Sequence, residues 1–478
     1  MESAHDDIQE DIQEDIQKDI QKDILEDIQV ERIGDNLEGK TIALCISGGI
    51  ASIESPKIAR HLRRYGAKVN AYATETAYQF VGKAALEWAT GRPVVDQLSG
   101  LAEHICREDL VLVAPATLNT INKIMAGIAD NPLTTLISSA LGKKVPVYLA
   151  PTMHESMFEN PVLQRNLAQA TAYGISIIPP RREEGKAKMP NLNHIVDEVC
   201  RGLSSSPLKG VKILITGGPA PVWLDEVRKI TNAATGELSI LIAKEAYRRG
   251  ADIKLLLEEN ITVEGLCLDV VRHGDFETYH SNVFSELRAS GIKKDDGFNT
   301  CPRYHIGIFS AAPSDYSSEK IQGVKIPSGK KDLNLLFSPT PKVIQGVRSE
   351  FPNLAMVTFK YCVGISKEEL ISIAQSELAK GYQLVVANRK EDIKEGHRAY
   401  IVGLDGILAV PKTKREIAVQ LMNILEDGKA INTIPQAIRD ANGHVNPCFH
   451  YCKPKRGFSD RVIDHALNFL GLNLTPYC

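Results

Sequence analysis

The chain has 478 residues, 43% hydrophobic and 24% charged, with a net charge of −3, which implies two or three globular domains rather than one core. Near-neutral charge excludes the basic footprint of a nucleic-acid binder, no apolar run is long enough to span a bilayer, and nine dispersed cysteines do not form a disulfide scaffold. No secretory leader is recognisable, so the protein is expected in the cytoplasm with no membrane partner.

Residues 6–28 repeat Asp-Ile-Gln, with Ile8, Ile12, Ile16, Ile20, Ile24 and Ile28 four apart. At about 3.6 residues per helical turn, that spacing spirals around the axis and builds no seam. Residues 1–38 therefore read as an acidic low-complexity tail rather than a partner-binding helix.

GKTIALCISGGIA at 39–51 opens the ordered chain: a strand runs into Gly48-Gly49, then come helical spacing over 51–65, Gly66 and the strand AKVNAYAT. GVKILITGGPAP at 210–221 repeats the arrangement around Gly217-Gly218, followed by the helix LSILIAKEAYRR, Gly250 and the strand ADIKLLL. Strand, glycine turn, helix and strand in that order favour parallel pairing and an anion at the helix N-terminus. The expected fold class is α/β, with two doubly wound parallel-sheet domains of Rossmann or flavodoxin type at 39–203 and 211–428. A linker at 204–210 joins them, and 429–478 forms a small C-terminal appendage. Neither turn matches GxGxxG or a P-loop, so each alone marks only a tight turn.

Between these turns, the apolar runs DLVLV and VPVYL each end in Ala-Pro, giving APATLNTINKIMAGIADNPLTT and APTMHESMFENP. Open α/β sheets bind ligands at such strand ends. Ser47, Gly48, Gly49 and Ala51 begin the first helix, Thr74 closes the second strand, and Thr117 and Asn119 follow a later one. Hydroxyls and an amide without an arginine cluster suit the phosphate and polar ring edge of flavin mononucleotide (FMN). Singly, each is also an ordinary cap or turn former; it is their joint placement that points to one crevice.

These stretches, with SGGIASIESPKIARHL and AEHI in the same order, resemble the flavin-dependent cysteine decarboxylases. The second half resembles the ligase commonly fused to them. Residues 39–425 together resemble the bifunctional phosphopantothenoylcysteine decarboxylase/phosphopantothenate–cysteine ligase family of coenzyme A biosynthesis, in its archaeal form. The resemblance implies that the cysteine thiol is oxidised to a thioaldehyde by bound FMN, that CO2 departs, and that hydride return yields 4'-phosphopantetheine. His104 of the HI motif is the implied base, because imidazole titrates near neutrality. Ala114 and Met153 fall with the flavin contacts, and Asn119 and Met157 with the substrate contacts. His154 stands where Asn is usual, and grips the substrate carboxylate either as a cation or by donating one N–H. Phe158 replaces a Trp. Where many members carry a flap cysteine, this chain has REEGKAKMPN; Lys186 and Lys188 hold the substrate phosphate or carboxylate, or are solvated loop charges. The family also implies a homo-oligomer built on trimers, with the flavin between subunits.

TGGPAPVWLDEVRKITNAATGEL resembles the ligase segment. There the 4'-phosphopantothenate carboxylate attacks the α-phosphate of CTP, accompanied by Mg2+, and the cysteine amine then displaces CMP. Asn232 matches the residue that steadies the acyl-cytidylate, Asp315 the nucleotide-binding aspartate, and Lys325 the loop lysine that neutralises the intermediate. Pro341, Lys342, Val343, Ile344, Phe359 and Lys380 match further CTP contacts. Glu237, Ser376 and Arg389 depart from the pattern, as does an insertion at 266–303. These departures leave open a decarboxylase with a silent ligase domain. A non-catalytic FMN-binding regulator is a third reading, and only the acidic tail leans toward it. Cys448, His450 and Cys452 lack a second pair at finger spacing, so a helical appendage is preferred there to a zinc site.

Overall fold

The computed structural model describes residues 29–428 apart from 264, 266–267, 289–301, 319–324, 327–328, 330–333 and 394–395. The repeat at 6–28 and the Cys448–Cys452 cluster lie outside the described residues. The chain divides into two compact units between Leu203 and Ser204.

The first unit is built on five parallel strands in the order β2-β1-β3-β4-β6: β1 (Thr41–Ile46), β2 (Lys68–Ala73), β3 (Leu110–Ala116), β4 (Val147–Pro151) and β6 (Ser176–Ile177). Every residue of β3 is buried, and all but the first of β1, as a parallel sheet covered on both faces requires. Alternation divides these strands between two cores. Ile42, Leu44, Ile46 and Leu112 pack with the helices Ser55–Arg64 and Leu192–Leu203, whereas Ala43, Cys45, Val111 and Val113 pack with Leu118–Met125, Pro132–Gly142 and Pro161–Ala172. Strand order reverses between β1 and β3, so the crevice opens at their carboxyl ends. A three-stranded antiparallel flap stands beside it: β5 (Met153–His154), β7 (Arg181–Glu183) and β8 (Lys186–Lys188), in the order β5-β8-β7.

Two expectations need adjusting here. Packing begins before residue 39: Leu37 is fully buried, and the N–H groups of Ile33 and Leu37 donate to the carbonyls of Arg64 and Tyr65. The helix expected over 51–65 is a 3-10 turn at Ile50–Glu54 that continues as the α-helix Ser55–Arg64.

The second unit contains an eight-stranded sheet in the order β14-β13-β9-β15-β19-β20-β21-β22. Its parallel members are β9 (Lys212–Gly217), β13 (Asp252–Glu258), β14 (Asp269–His273), β15 (Ile306–Phe309), β19 (Ala355–Cys362) and β20 (Leu384–Arg389). The strands β21 (Tyr400–Gly403) and β22 (Gly406–Ala409) close one edge antiparallel. Short ribbons decorate the carboxyl edge: β10 (Pro219–Ala220) with β16 (Ala312–Pro313), β11 (Val222–Trp223) with β12 (Lys229–Ile230), and β17 (Tyr316–Ser318) with β18 (Phe337–Pro339). Within the expected insertion at 266–303, β14 and the helix Phe276–Leu287 belong to the regular sheet and its crossover. Asp275 and Thr278 form the capping box of that helix.

Candidate active site

At the carboxyl edge of the first sheet lies a cavity of about 1280 Å³. Gly48, Gly49, Ala51, Thr74, Thr117 and Asn119 line it from the strand ends, and Met153, His154, Met157, Lys186 and Lys188 from the flap side. The floor is tight: a Cβ built on Gly48 would meet the Thr76 Oγ1 at 2.3 Å. Thr74 and Thr76 share a hydrogen bond of 3.1 Å, and Thr117 donates to the Thr120 hydroxyl at 3.1 Å.

Three expected site residues do not line this cavity. Ser47 is fully buried; its hydroxyl donates to the Pro115 carbonyl at 2.7 Å and accepts the Thr117 N–H at 3.1 Å. It therefore staples the ends of β1 and β3. Ala114 is buried within β3, where its carbonyl accepts from Ser55 at 3.1 Å. His104 lies in an exposed turn. Beside it Leu98, Leu101 and Ile105 are exposed, and Glu108 anchors the turn's end by accepting from Asn70, Tyr72 and the Arg107 N–H.

His154 caps the short helix Glu155–Phe158: its Nδ1 accepts the Ser156 N–H at 3.2 Å, with the Ser156 hydroxyl 2.8 Å away. With Nδ1 engaged by Ser156, Nε2 is the ring nitrogen left for a ligand. Lys188 pairs with Glu184 at 2.8 Å and Glu183 at 3.3 Å, which raises its own pKa and lowers that of Glu184. Arg181 and Thr76 also line the cavity, and sequence reasoning overlooked both. Arg181 reaches it because the hairpin turns at Glu184-Gly185, both with positive φ, which is the backbone of a type I′ turn.

In the second unit, Asp315 and Lys342 form an ion pair of 2.5 Å. The Thr340 N–H donates to the Asp315 carbonyl at 2.9 Å and its hydroxyl to the Ser314 carbonyl at 2.7 Å. Pro341, Lys342, Val343 and Ile344 thus start the helix Val343–Glu350 beside the β16–β17 loop. The Asn232 amide donates to the carbonyls of Ala312 (2.9 Å) and Pro313 (3.1 Å). Lys325 is exposed, and Phe359 is half-buried in β19. Lys380 does not join this group. It follows the helix Lys367–Leu378, at the amino edge of β20, and pairs with Glu377 at 2.8 Å. Helix and strand run antiparallel, so a residue that ends the crossover sits across the sheet from Asp315.

Comparison with known proteins assigns both units. Residues 31–204 match the family model described as Flavoprotein, and residues 208–427 match the DNA/pantothenate metabolism flavoprotein C-terminal domain. The coenzyme A biosynthesis bifunctional protein CoaBC of Thermococcus kodakarensis is 37% identical over 82% of this chain and 96% of its own length. The chain belongs to the CoaBC family. CoaBC of Methanocaldococcus jannaschii is 30% identical over 81% of the chain and 93% of its own length, and that of Escherichia coli 34% over 81% and 96%.

The departures from the CoaBC pattern have internal partners. Glu237 pairs with Lys414. Arg389 forms a two-pronged fork on Asp392 at 2.8 and 3.0 Å, which raises the Arg389 pKa and lowers that of Asp392. Among the described residues, no group of three or more His, Cys, Asp or Glu side chains is arranged to hold a metal ion. No helix among them is long and apolar enough to cross a membrane.

Proposed function

We propose that the second unit joins 4'-phosphopantothenate to cysteine at the expense of CTP, and that the first unit decarboxylates the resulting phosphopantothenoylcysteine to 4'-phosphopantetheine. What carries the reading is CoaBC likeness across both units combined with the strand-end cavity of the first.

The cavity residues fit FMN. Gly48 lets the turn after β1 pass directly against Thr76, and Thr74, Thr76, Thr117 and Asn119 offer hydroxyls and an amide around the cavity. FMN, when bound, supplies the two-electron oxidation of the substrate thiol and its reversal after CO2 has left. His154 donates its Nε2–H to the substrate carboxylate, and Lys186 offers a cation to the substrate phosphate. His104 takes the thiol proton. Because it lies off its own chain's cavity, this role belongs to the cavity of a neighbouring subunit, with Leu98, Leu101 and Ile105 as the apolar surface a second copy covers.

In the ligase unit, a phosphopantothenate carboxylate oxygen bonds to the α-phosphorus of CTP as pyrophosphate leaves. The cysteine nitrogen then bonds to the acyl carbon as CMP leaves. Lys325 neutralises the phosphoryl charge, and Mg2+ arrives with the triphosphate. The Asn232 amide already holds the Ala312–Pro313 carbonyls, so its Oδ1 is the group left for a ligand.

Incubating the flavin-loaded protein with phosphopantothenate, cysteine, CTP and Mg2+ is expected to yield phosphopantetheine, CO2 and CMP. Product only from supplied phosphopantothenoylcysteine would contradict the ligase half, and no product from either substrate would contradict both halves.

A further inference from the structure

The ligase reading gives Lys325 the charge-neutralising role, and the inference here rests on that reading. Ile326, the next residue, is buried at 4% exposure. Its backbone ends on a single ion pair. Asp225 is fully buried, and its Oδ1 accepts the N–H groups of Val227 (2.8 Å) and Arg228 (2.7 Å). Its Oδ2 accepts the Ile326 N–H at 3.1 Å and the Arg228 guanidinium at 3.1 Å. The same Arg228 Nη1 donates to the Ile326 carbonyl at 3.3 Å. Burial alone would raise the Asp225 pKa, but the Val227, Ile326 and Arg228 N–H groups and the Arg228 charge outweigh it and keep the carboxyl below its ordinary range.

The Ile326 N–H and the Lys325 carbonyl share one rigid peptide plane. A hydrogen bond from that N–H to an immobile carboxylate therefore fixes the plane from which the Lys325 side chain departs. A lysine carries four rotatable side-chain bonds, so a fixed starting point bounds the volume its ammonium can search, and the ligand's charge selects the position within it.

We propose that Asp225 and Arg228 are positioning residues for the ligase. As a buried ion pair gripping both backbone groups of Ile326, they aim Lys325 at the triphosphate during acyl-cytidylate formation. The contact spans 101 residues of sequence, so it joins the start of the ligase domain to the lysine loop.

The test uses the full-length, FMN-loaded protein and a double-mutant cycle of Asp225→Asn and Lys325→Gln. Pyrophosphate release from CTP and phosphopantothenate is the readout. Asn keeps the size but offers one oxygen in place of two, and its NH2 opposes N–H donors. Asp225→Asn is expected to lower kcat on the order of 10²-fold, the cost of a misplaced group, with a smaller change in the KM for CTP. CO2 release from supplied phosphopantothenoylcysteine, which belongs to the other unit, is expected to stay unchanged. In the Lys325→Gln background, Asp225→Asn is expected to add no further loss. Arg228→Lys, which keeps the charge without the fork, gives a milder loss that also vanishes in that background and serves if Asp225→Asn fails to fold. Independent losses that multiply would overturn the tether while leaving the role of Lys325 intact. Full ligation by Lys325→Gln alone would instead overturn the role of Lys325, and the tether with it, whereas no pyrophosphate release from the parent protein would overturn the ligase reading.

Discussion

At position 48, a single added methyl group would displace Thr76 from the wall of the cofactor cavity. An alanine Cβ there would lie 2.3 Å from the Thr76 Oγ1 and 2.8 Å from its backbone carbon, a clash that backbone cannot absorb cheaply. Gly48→Ala is expected to lose bound FMN, read as absorbance per chain, and to lower the melting temperature by several degrees, because overpacking of this kind costs about 1–3 kcal/mol. His104→Asn is expected to keep the flavin and stop CO2 release. Mixed with Gly48→Ala subunits in one oligomer, it should recover part of the activity, because each would complete the other's cavity; absence of recovery would place the base within one subunit. His273 gives a pH prediction. Burial at 1% exposure, opposed by Glu258, Asp275 and Glu259, pushes its pKa down to about 4 from an ordinary 6.5. On acidification the unfolded chain therefore takes the proton first. The contribution to stability is complete above about pH 6.5 and falls by roughly 3 kcal/mol as the pH drops through 4. His273→Val should remove that share of the slope in urea midpoints measured against pH.

Among elements, the strands were the most legible. Residues 41–46 and 110–116 read as strands because both sheet faces are covered, so the runs are almost wholly apolar, the first stopped by Gly48-Gly49 and the second marked near its end by Ala114-Pro115. The flap is legible through the resemblance as REEGKAKMPN with Lys186 and Lys188, but its strands are not. Its pairing of Met153 with Ala187 and of His154 with Lys186 lies between segments distant in the chain, and no local periodicity announces it. The same limit hid Arg181 and the contact of His154 Nδ1 with Ser156. Lys380 lies at the other edge of the sheet from Asp315, which a motif does not reveal, because it fixes order along the chain but not the edge a residue reaches. The core at β3 makes a plain prediction. Leu112 is fully buried in a layer with Leu44 and Ile195, and Leu112→Ala should destabilise the first unit by about 2–5 kcal/mol in chemical unfolding.

The whole molecule joins two units, each with its own sheet and core. Separate cores imply separable chemistry. Lys325→Gln should cut pyrophosphate release to a small residual rate while CO2 release from supplied phosphopantothenoylcysteine continues at the parent rate; parallel loss of both would argue against independent sites. The strand-end crevice of the first unit is the claim on which the rest depends, and flavin content tests it most directly. Protein purified from flavin-replete cells is predicted to be yellow, to carry FMN in stoichiometric amount, and to lose it in Gly48→Ala. A colourless protein that takes up no added FMN would contradict the account.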